Sequence, residues 1–497
     1  IYIYDLSADN IMIKSGEFYF VDLEGAYDSK DFKYLDKVYS NHFIDLNKSK
    51  EQSQVYSLMI LLIYCVYDIT KMFINEEKLD INRKFLPISN KTSYYNNIVH
   101  LINSMYLGKI NLIEVVEYIE SNINKIYKDL EIECFESKIA DEEIVSLYEN
   151  YNIKDTLQLI KLGLEDTYKQ QNLRKKYEDY SYVNKGIKSG YPGIAYVLNE
   201  INGFQTCEKI DDVILSMFSG YLGNVWIDYD VEVSKIKSNL NFNINDSSLI
   251  HGLSGIGISL IKKYLTNKDS NTLIFIKKIA DKLLQNNSTF EKNGLFYGAS
   301  GISLFLLYFY KLTNYDNYLF TGQKILQNDL NNLIEDKFGC ILLKQDQSNI
   351  SSPYFMNGSV GVASVLLRYY LYTKNIEYKK IAITIMDSLI YNLSLHTGLF
   401  EGMSGIANTF LDCYFIVGDV KYLNVAKRMA NDISNSLHIN NKFISGYTRD
   451  GENLSFSFDY GSSGIALFLD RLVKQKKYNF IPFLDREMEL IHEQNDK

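Results

Sequence analysis

The feature that most restricts the fold is a pattern written six times: Gly-x-x-Gly, a small or β-branched pair, then an apolar run. It reads SGYPGIAYVL, HGLSGIGISLI, YGASGISLFLL, NGSVGVASVLL, EGMSGIANTFL and YGSSGIALFLD, with first glycines at Gly190, Gly252, Gly298, Gly358, Gly402 and Gly461. The spacings of 62, 46, 60, 44 and 59 residues each accommodate two helices of ordinary length with their loops. One GxxG has little meaning; six in register, each opening an apolar helix, specify an array of helical hairpins. The apolar runs are hydrophobic nearly all round, which predicts helices buried on most sides and a second helix per repeat covering them. An open solenoid would leave one side of each inner helix in water. A closed α/α ring does not, and is the expected architecture. Ser254, Ser300, Ser404 and Ser463 stand before the second glycine, where a serine can cap the following helix. Only four prolines in 497 residues agree with long helices.

The residue just before each first glycine is Ser189, His251, Tyr297, Asn357, Glu401 or Tyr460, polar or polar-tipped in segments that are otherwise apolar. Taken singly, each reads as a loop residue making local hydrogen bonds. As a column in equivalent repeats they converge on one cavity, a few polar groups in an apolar setting. His251 and Glu401 are its strongly titratable members near neutral pH, which suits proton transfer.

Composition removes several classes. A net charge of −9 with no basic run argues against a nucleic-acid partner. The longest apolar run, Leu58 to Tyr67, is too short for a bilayer and predicts a buried helix. Five scattered cysteines (Cys65, Cys134, Cys207, Cys340, Cys413) form neither a CxxC nor a Cys/His cluster, so neither a disulfide framework nor a standard zinc site is written. That usage fits a reducing cytoplasm, and no signal peptide is visible. Residues 1 to about 28 alternate as strands around a Ser15-Gly16 turn, and about 31 to 180 read as helical. The chain begins at Ile1 without a Met and reads as the C-terminal part of a longer protein.

The six GxxG helices, HGLSGIG above all, resemble the lanthionine cyclase domain, an α/α toroid. The resemblance covers roughly 290 residues. It implies addition of a cysteine thiol to a dehydroalanine or dehydrobutyrine, with His251 matching the family's His-Gly histidine of proton transfer. Zinc-dependent members carry a Cys two residues before one repeat glycine and a Cys-His pair before the next. Here those positions are Met356, then Phe400 and Glu401, so the chain resembles the zinc-free branch and no zinc is expected. At the other end, Asp5 and Asn10 have the spacing of a kinase catalytic loop, and Asp22-Leu23-Glu24-Gly25 follows one hairpin later, where a kinase has Asp-Phe-Gly. The resemblance makes Asp5 the proton acceptor and Asn10 and Asp22 the Mg²⁺ holders on ATP or GTP. Ile3 and Tyr4 replace the usual His-x or His-Arg, and Ser7 a common Lys.

A kinase followed by a zinc-free toroid resembles the class III lanthipeptide synthetases, which act on a precursor peptide. The expected organisation is a partial kinase C-lobe at 1–130, a helical connection at 131–180 and the toroid at 181–497, mainly α throughout. The expected site is His251, Glu401, Tyr297, Tyr460 and Asn357 in the toroid, with Asp5 in the kinase part. Three alternatives stand beside this reading: a toroid that only binds peptide, a helical scaffold without chemistry, and a glycosidase. The last would use Glu401 and Asp459 as its carboxylates, with Trp226 the single tryptophan for sugar stacking.

Overall fold

The computed structural model describes residues 2–3, 11–14, 17–20, 26–27, 49–67, 95–130, 153–169, 186–203 and most of 210–495. Contacts divide the chain into two compact units, one of Ile1–Lys138 with Asp450–Asn453 and one of Ile139–Arg449 with Leu454–Lys497.

In the first unit, β1 (Tyr2–Ile3) pairs antiparallel with β4 (Ala26–Tyr27). Strands β2 (Ile11–Lys14) and β3 (Glu17–Phe20) form the expected hairpin, with Ile11 opposite Phe20 and Lys14 opposite Glu17. Helix α1 (Lys50–Tyr67) contains the apolar run and buries Val55, Met59, Ile60 and Ile63, whose spacing makes one helical face. That face packs on α2 (Tyr95–Tyr106) and α3 (Leu112–Leu130). Asn111 and Glu114 start α3 with a reciprocal cap, each side chain accepting from the other's backbone N–H at 3.0 and 2.8 Å.

The second unit is a closed double ring. Four helical hairpins pair an inner with an outer helix: α6–α7 (Leu253–Asn267, Ser270–Gln285), α8–α9 (Ala299–Thr313, Asp316–Asn331), α10–α11 (Ser359–Thr373, Ile376–Asp387) and α12–α13 (Met403–Val417, Val420–Ser436). Two more inner helices, α5 (Tyr191–Asn202) and α14 (Ser462–Val473), are covered from outside by α4 (Ile153–Lys169), which lies within the stretch read as a connection. Inner helices touch in order from α6 to α14, and α14 then packs on α5. Their apolar runs are buried throughout; every residue of α8 from Ala299 to Phe309 is buried. The 60- and 59-residue intervals exceed the 46- and 44-residue ones because each carries a three-stranded antiparallel meander. These are β5–β6–β7 (Leu333–Glu335, Ile341–Lys344, Ser351–Ser352) and β8–β9–β10 (His438–Ile439, Ile444–Tyr447, Leu454–Ser455).

The 62-residue interval hides a seventh copy. Gly220-Tyr221-Leu222-Gly223 opens a buried 3-10 helix, Tyr221–Ile227, which packs between α5 and α6 and completes the ring.

Seven loops meet at the N-terminal ends of these inner helices. The residue two before each first glycine joins a circle of backbone hydrogen bonds. Ile250 N–H donates to Phe296 O, Phe296 to Met356, Met356 to Phe400, Phe400 to Asp459, Asp459 to Lys188 and Lys188 to Phe218, over 2.9–3.2 Å. The Ser216 hydroxyl donates to Ile250 O at 2.8 Å and closes the circle. The second glycine of each of the six α-helical copies exists for this crowding. A Cβ on Gly255, Gly301, Gly361, Gly405 or Gly464 would stand 2.0–2.3 Å from the carbonyl oxygen six residues earlier.

The serines before those glycines are not helix caps. Each inner helix starts at its first glycine in extended conformation without a side-chain cap bond. Ser254, Ser404 and Ser463 sit in the first turn, two residues past the glycine, and donate to Ser247 O, Thr397 O and Phe456 O at 2.6, 2.5 and 2.7 Å, tying loop to helix. Ser300 instead donates to buried Asp329 of α9 at 2.5 Å.

A second polar column lies ten residues after each first glycine. It contains Lys262, Tyr308, Arg368, Asp412 and Arg471, and its side chains bind the C-terminal segment leading into α15 (Asp485–Asn495).

Candidate active site

The circle of loops defines the mouth of the ring. Beneath it the axis is filled. Phe218, Phe296 and Phe400 meet with ring centroids 4.4–5.4 Å apart, and Phe355 and Phe458 pack against them; all are buried. The predicted polar column therefore stands next to an aromatic plug formed largely by residues of the circle itself. Six α-helical N-termini surround this mouth, and their dipoles favour negative charge there.

Within the column the side chains form distinct groups. His251 is exposed, its backbone N–H held by Ser248 Oγ at 3.3 Å, and its ring stands edge-on to Tyr297 with centroids 6.2 Å apart. Glu401 Oε2 accepts from the Tyr460 hydroxyl at 3.1 Å and lies 3.0 Å from Arg449 Nε. Burial, with the charges of Glu401 and Asp459 added, pushes the Tyr460 hydroxyl well above its ordinary pKa, so it stays a donor. Asn357 is buried; its carbonyl accepts from Gln345 Nε2 at 2.6 Å, while its Oδ1 has no hydrogen-bond partner among the described residues. The missed seventh copy adds Ser219 to the column, beside Ser189.

The positions compared with zinc ligands do not fit that metal. Phe400 has no donor atom and sits in the plug. Met356 is buried, and the Glu401 carboxylate is engaged by Tyr460 and Arg449. Among the described residues no group of three or more His, Cys, Asp or Glu could hold a metal ion. Cys340 and Cys413 are free and buried, and burial raises the Cys413 thiol far above its ordinary pKa. Asp459 is also buried. Burial raises its pKa against the pull of Lys188, 3.8 Å away, and its Oδ1 accepts from Ser457 Oγ at 2.6 Å. Trp226 lies in the wall, donating to Ser259 Oγ at 3.2 Å, and offers no stacking surface to the mouth. Asp5, Asn10 and Asp22 lie outside the described residues. Among those that are described, no helix is long and apolar enough to cross a membrane.

Arg449 was not foreseen from the sequence. It follows β9, 48 residues from Glu401, and a single Arg in a loop carries no motif.

A closed α/α ring with glycine-opened inner helices and a polar mouth defines the class. The family model of lanthionine synthetase C-like proteins matches residues 231–486, half of the chain, and the chain belongs to that family. Among solved structures it is similar to nisin cyclase, at 18% identity and a TM-score of 0.50, over 67% of this chain and 97% of that one. A weaker likeness is to unsaturated glucuronyl hydrolase from Streptococcus agalactiae, at 11% identity and a TM-score of 0.41, over 69% and 98% of the two chains. Such likenesses concern fold alone. No curated protein matches the chain in sequence.

Proposed function

We propose that the ring closes thioether bridges in a dehydrated precursor peptide, and does so without zinc. The observation that carries this reading is His251, an exposed imidazole at the mouth of a ring built as in this family. An unperturbed thiol has a pKa of about 8.5, so at neutral pH a base must take its proton. Imidazole is well matched to that task. The sulfur then bonds the β-carbon of the dehydroamino acid, and the double-bond pair moves toward the carbonyl as an enolate. The imidazolium returns a proton to the α-carbon. One S–H bond is exchanged for one C–H bond and one S–C bond replaces the π bond, with no net change of redox state. The surrounding helix N-termini favour both anionic stages. Met356, Phe400 and Glu401 support a metal-free reaction because they lack a thiolate-rich donor set.

The N-terminal stretch we read as the end of a kinase, as in the class III lanthipeptide synthetases. Asp5 would accept the substrate hydroxyl proton, and Asn10 and Asp22 would hold Mg²⁺ on the nucleotide phosphates. The hairpin of β2 and β3 between Asn10 and Asp22 supports this.

The test uses a dehydrated peptide with free cysteines. His251→Ala and His251→Asn are expected to leave the thiols open to alkylation, with circular dichroism unchanged. Normal ring closure in both variants would remove His251 from the mechanism. A wild-type protein that binds the peptide but leaves its thiols open would make the ring a peptide-binding module instead.

A further inference from the structure

We infer that Arg449 supplies the positive charge against which the substrate's sulfur anion is held at the mouth, an inference that rests on the cyclase reading. Its location is built rather than incidental. Strand β9 is buried along its whole length and clamped to the first turn of α14. Gly446 N–H donates to Ser462 Oγ at 3.0 Å, Ser445 Oγ meets Ser462 Oγ at 3.2 Å, and Ser462 Oγ donates to Ser455 O at 3.0 Å. A Cβ on Gly446 would come within 2.9 Å of Ile465 Cδ1, so the strand lies directly on the helix. Arg449 stands two residues beyond the end of β9.

Its guanidinium is anchored along one edge. Nε lies 3.0 Å from Glu401 Oε2, and Tyr460 secures the same oxygen from the other side. The Glu401 side chain is 15% exposed and that of Arg449 70%, so the anchor is inside and the cation is exposed beside it. An ion pair this exposed adds little to stability. Its consequence is electrostatic. Ring closure passes through a thiolate and an enolate, and the Glu401 carboxylate alone would repel both. With Arg449 attached, the same corner offers a permanent, planar cation with N–H donors for sulfur or oxygen anions. Lys188, a member of the circle of loops, is 21% exposed and its charge is spent on Asp459. Glu401 then acts as a positioning residue for Arg449 and not as the base.

The experiment uses the full chain and a synthetic peptide bearing one dehydroalanine and one cysteine. Ring closure is timed in wild type, Arg449→Gln and Arg449→Lys. In parallel, binding is measured for peptides with cysteic acid or serine in place of the cysteine. Arg449→Gln is expected to slow closure by about tenfold or more, with Arg449→Lys recovering most of the rate. Wild type is expected to favour the sulfonate peptide by about tenfold and Arg449→Gln to lose that preference. Closure by Arg449→Gln within about twofold of wild type, or no sulfonate preference in wild type, would overturn the inference. A sulfonate preference that depends on Arg449, in a wild type that closes no ring, would leave the anion site standing and remove the cyclase reading.

Discussion

The two polar columns of the ring use similar residue types to opposite ends. At the inner end, ten residues past the glycines, the charges consume one another. Arg368 gives Nε and Nη2 to Asp485 Oδ2 at 3.0 and 2.8 Å and Nη1 to Asp412, with its guanidinium 3.6 Å from the centre of the Phe483 ring. Arg471 gives Nη2 to Asp412 Oδ1 and Nη1 to Asn408 Oδ1, both at 2.7 Å. Tyr308 and Tyr372 donate to Asp485 Oδ1 at 3.2 Å. The burial of Asp412 would raise its pKa, but the two guanidiniums outweigh that and lower it. At the mouth, by contrast, Arg449 faces solvent and Asn357 Oδ1 has no partner among the described residues. A network with its hydrogen-bonding capacity saturated can only hold structure; one with capacity left over can meet a substrate.

The largest effect that tests this contrast is at the inner end. Asp412→Ala leaves two buried guanidiniums facing each other without their shared carboxylate. Removing one partner of such a set costs about 3–5 kcal/mol. Urea unfolding should show that loss, together with release of the C-terminal segment to proteolysis. The matching change at the mouth, Glu401→Gln, should cost less than about 1 kcal/mol, because its ion-pair partner is exposed. Equal losses in the two variants would collapse the distinction between the columns.

The ring itself was legible in the sequence because each of six glycine pairs opens a long apolar run, and burial on all sides leaves no other fold for such helices. The seventh pair was not, because Tyr221–Ile227 is a short 3-10 helix followed by Asp228-Tyr229-Asp230, and no apolar run marks it. The mouth column was legible as a register, but its pairings were not. Glu401 meets Tyr460 and Arg449 across 59 and 48 residues, which only closure of the ring determines. The inner column left a readable trace, a charge set in an apolar run at VLLRYYLY and TFLDCYF. Its partner Asp485 lies 117 residues from Arg368, and no local pattern joins them. The serines misled because Ser before Gly is a common cap signal, whereas here the crowded loops present carbonyls that the hydroxyls reach first.

An intermediate effect sharpens how the mouth is held from outside. Asp329 of α9 accepts from Ser300 N and Oγ at 2.8 and 2.5 Å and from Gly294 N at 3.2 Å. Burial outweighs these bonds and raises its pKa from 3.8 to about 6. The folded protein thus keeps this proton where the unfolded chain releases it. The stabilisation is fully present below the unfolded pKa and is lost as pH rises through about 4 to 6, amounting to about 3 kcal/mol. Wild type minus Asp329→Asn, in denaturant titrations across that range, should fall by roughly this amount, since the amide does not titrate. A difference that stays flat, or rises, would mean that the three donors hold the carboxylate charged and that burial is the weaker force.

The smallest effect has the opposite sign and belongs to the mouth. Asn357 is 8% exposed, and a buried acceptor without a partner costs about 1–3 kcal/mol relative to one that is satisfied. A group kept for stability would not sit this way; a group kept to accept a peptide N–H or the thiol proton would, because the substrate supplies the missing donor. Asn357→Leu matches the residue in size and removes the amide. It should leave stability unchanged or raise it by about 1 kcal/mol, with the Gln345 bond retained because it goes to the backbone carbonyl. The same variant should bind the dehydrated peptide more weakly or close its rings more slowly. A stabilised variant with undiminished activity would show that the orphaned oxygen serves no substrate. A strongly destabilised one would show that the amide is held in place by contacts of the kind found in the inner column, and the line between the two columns would then run through Asn357.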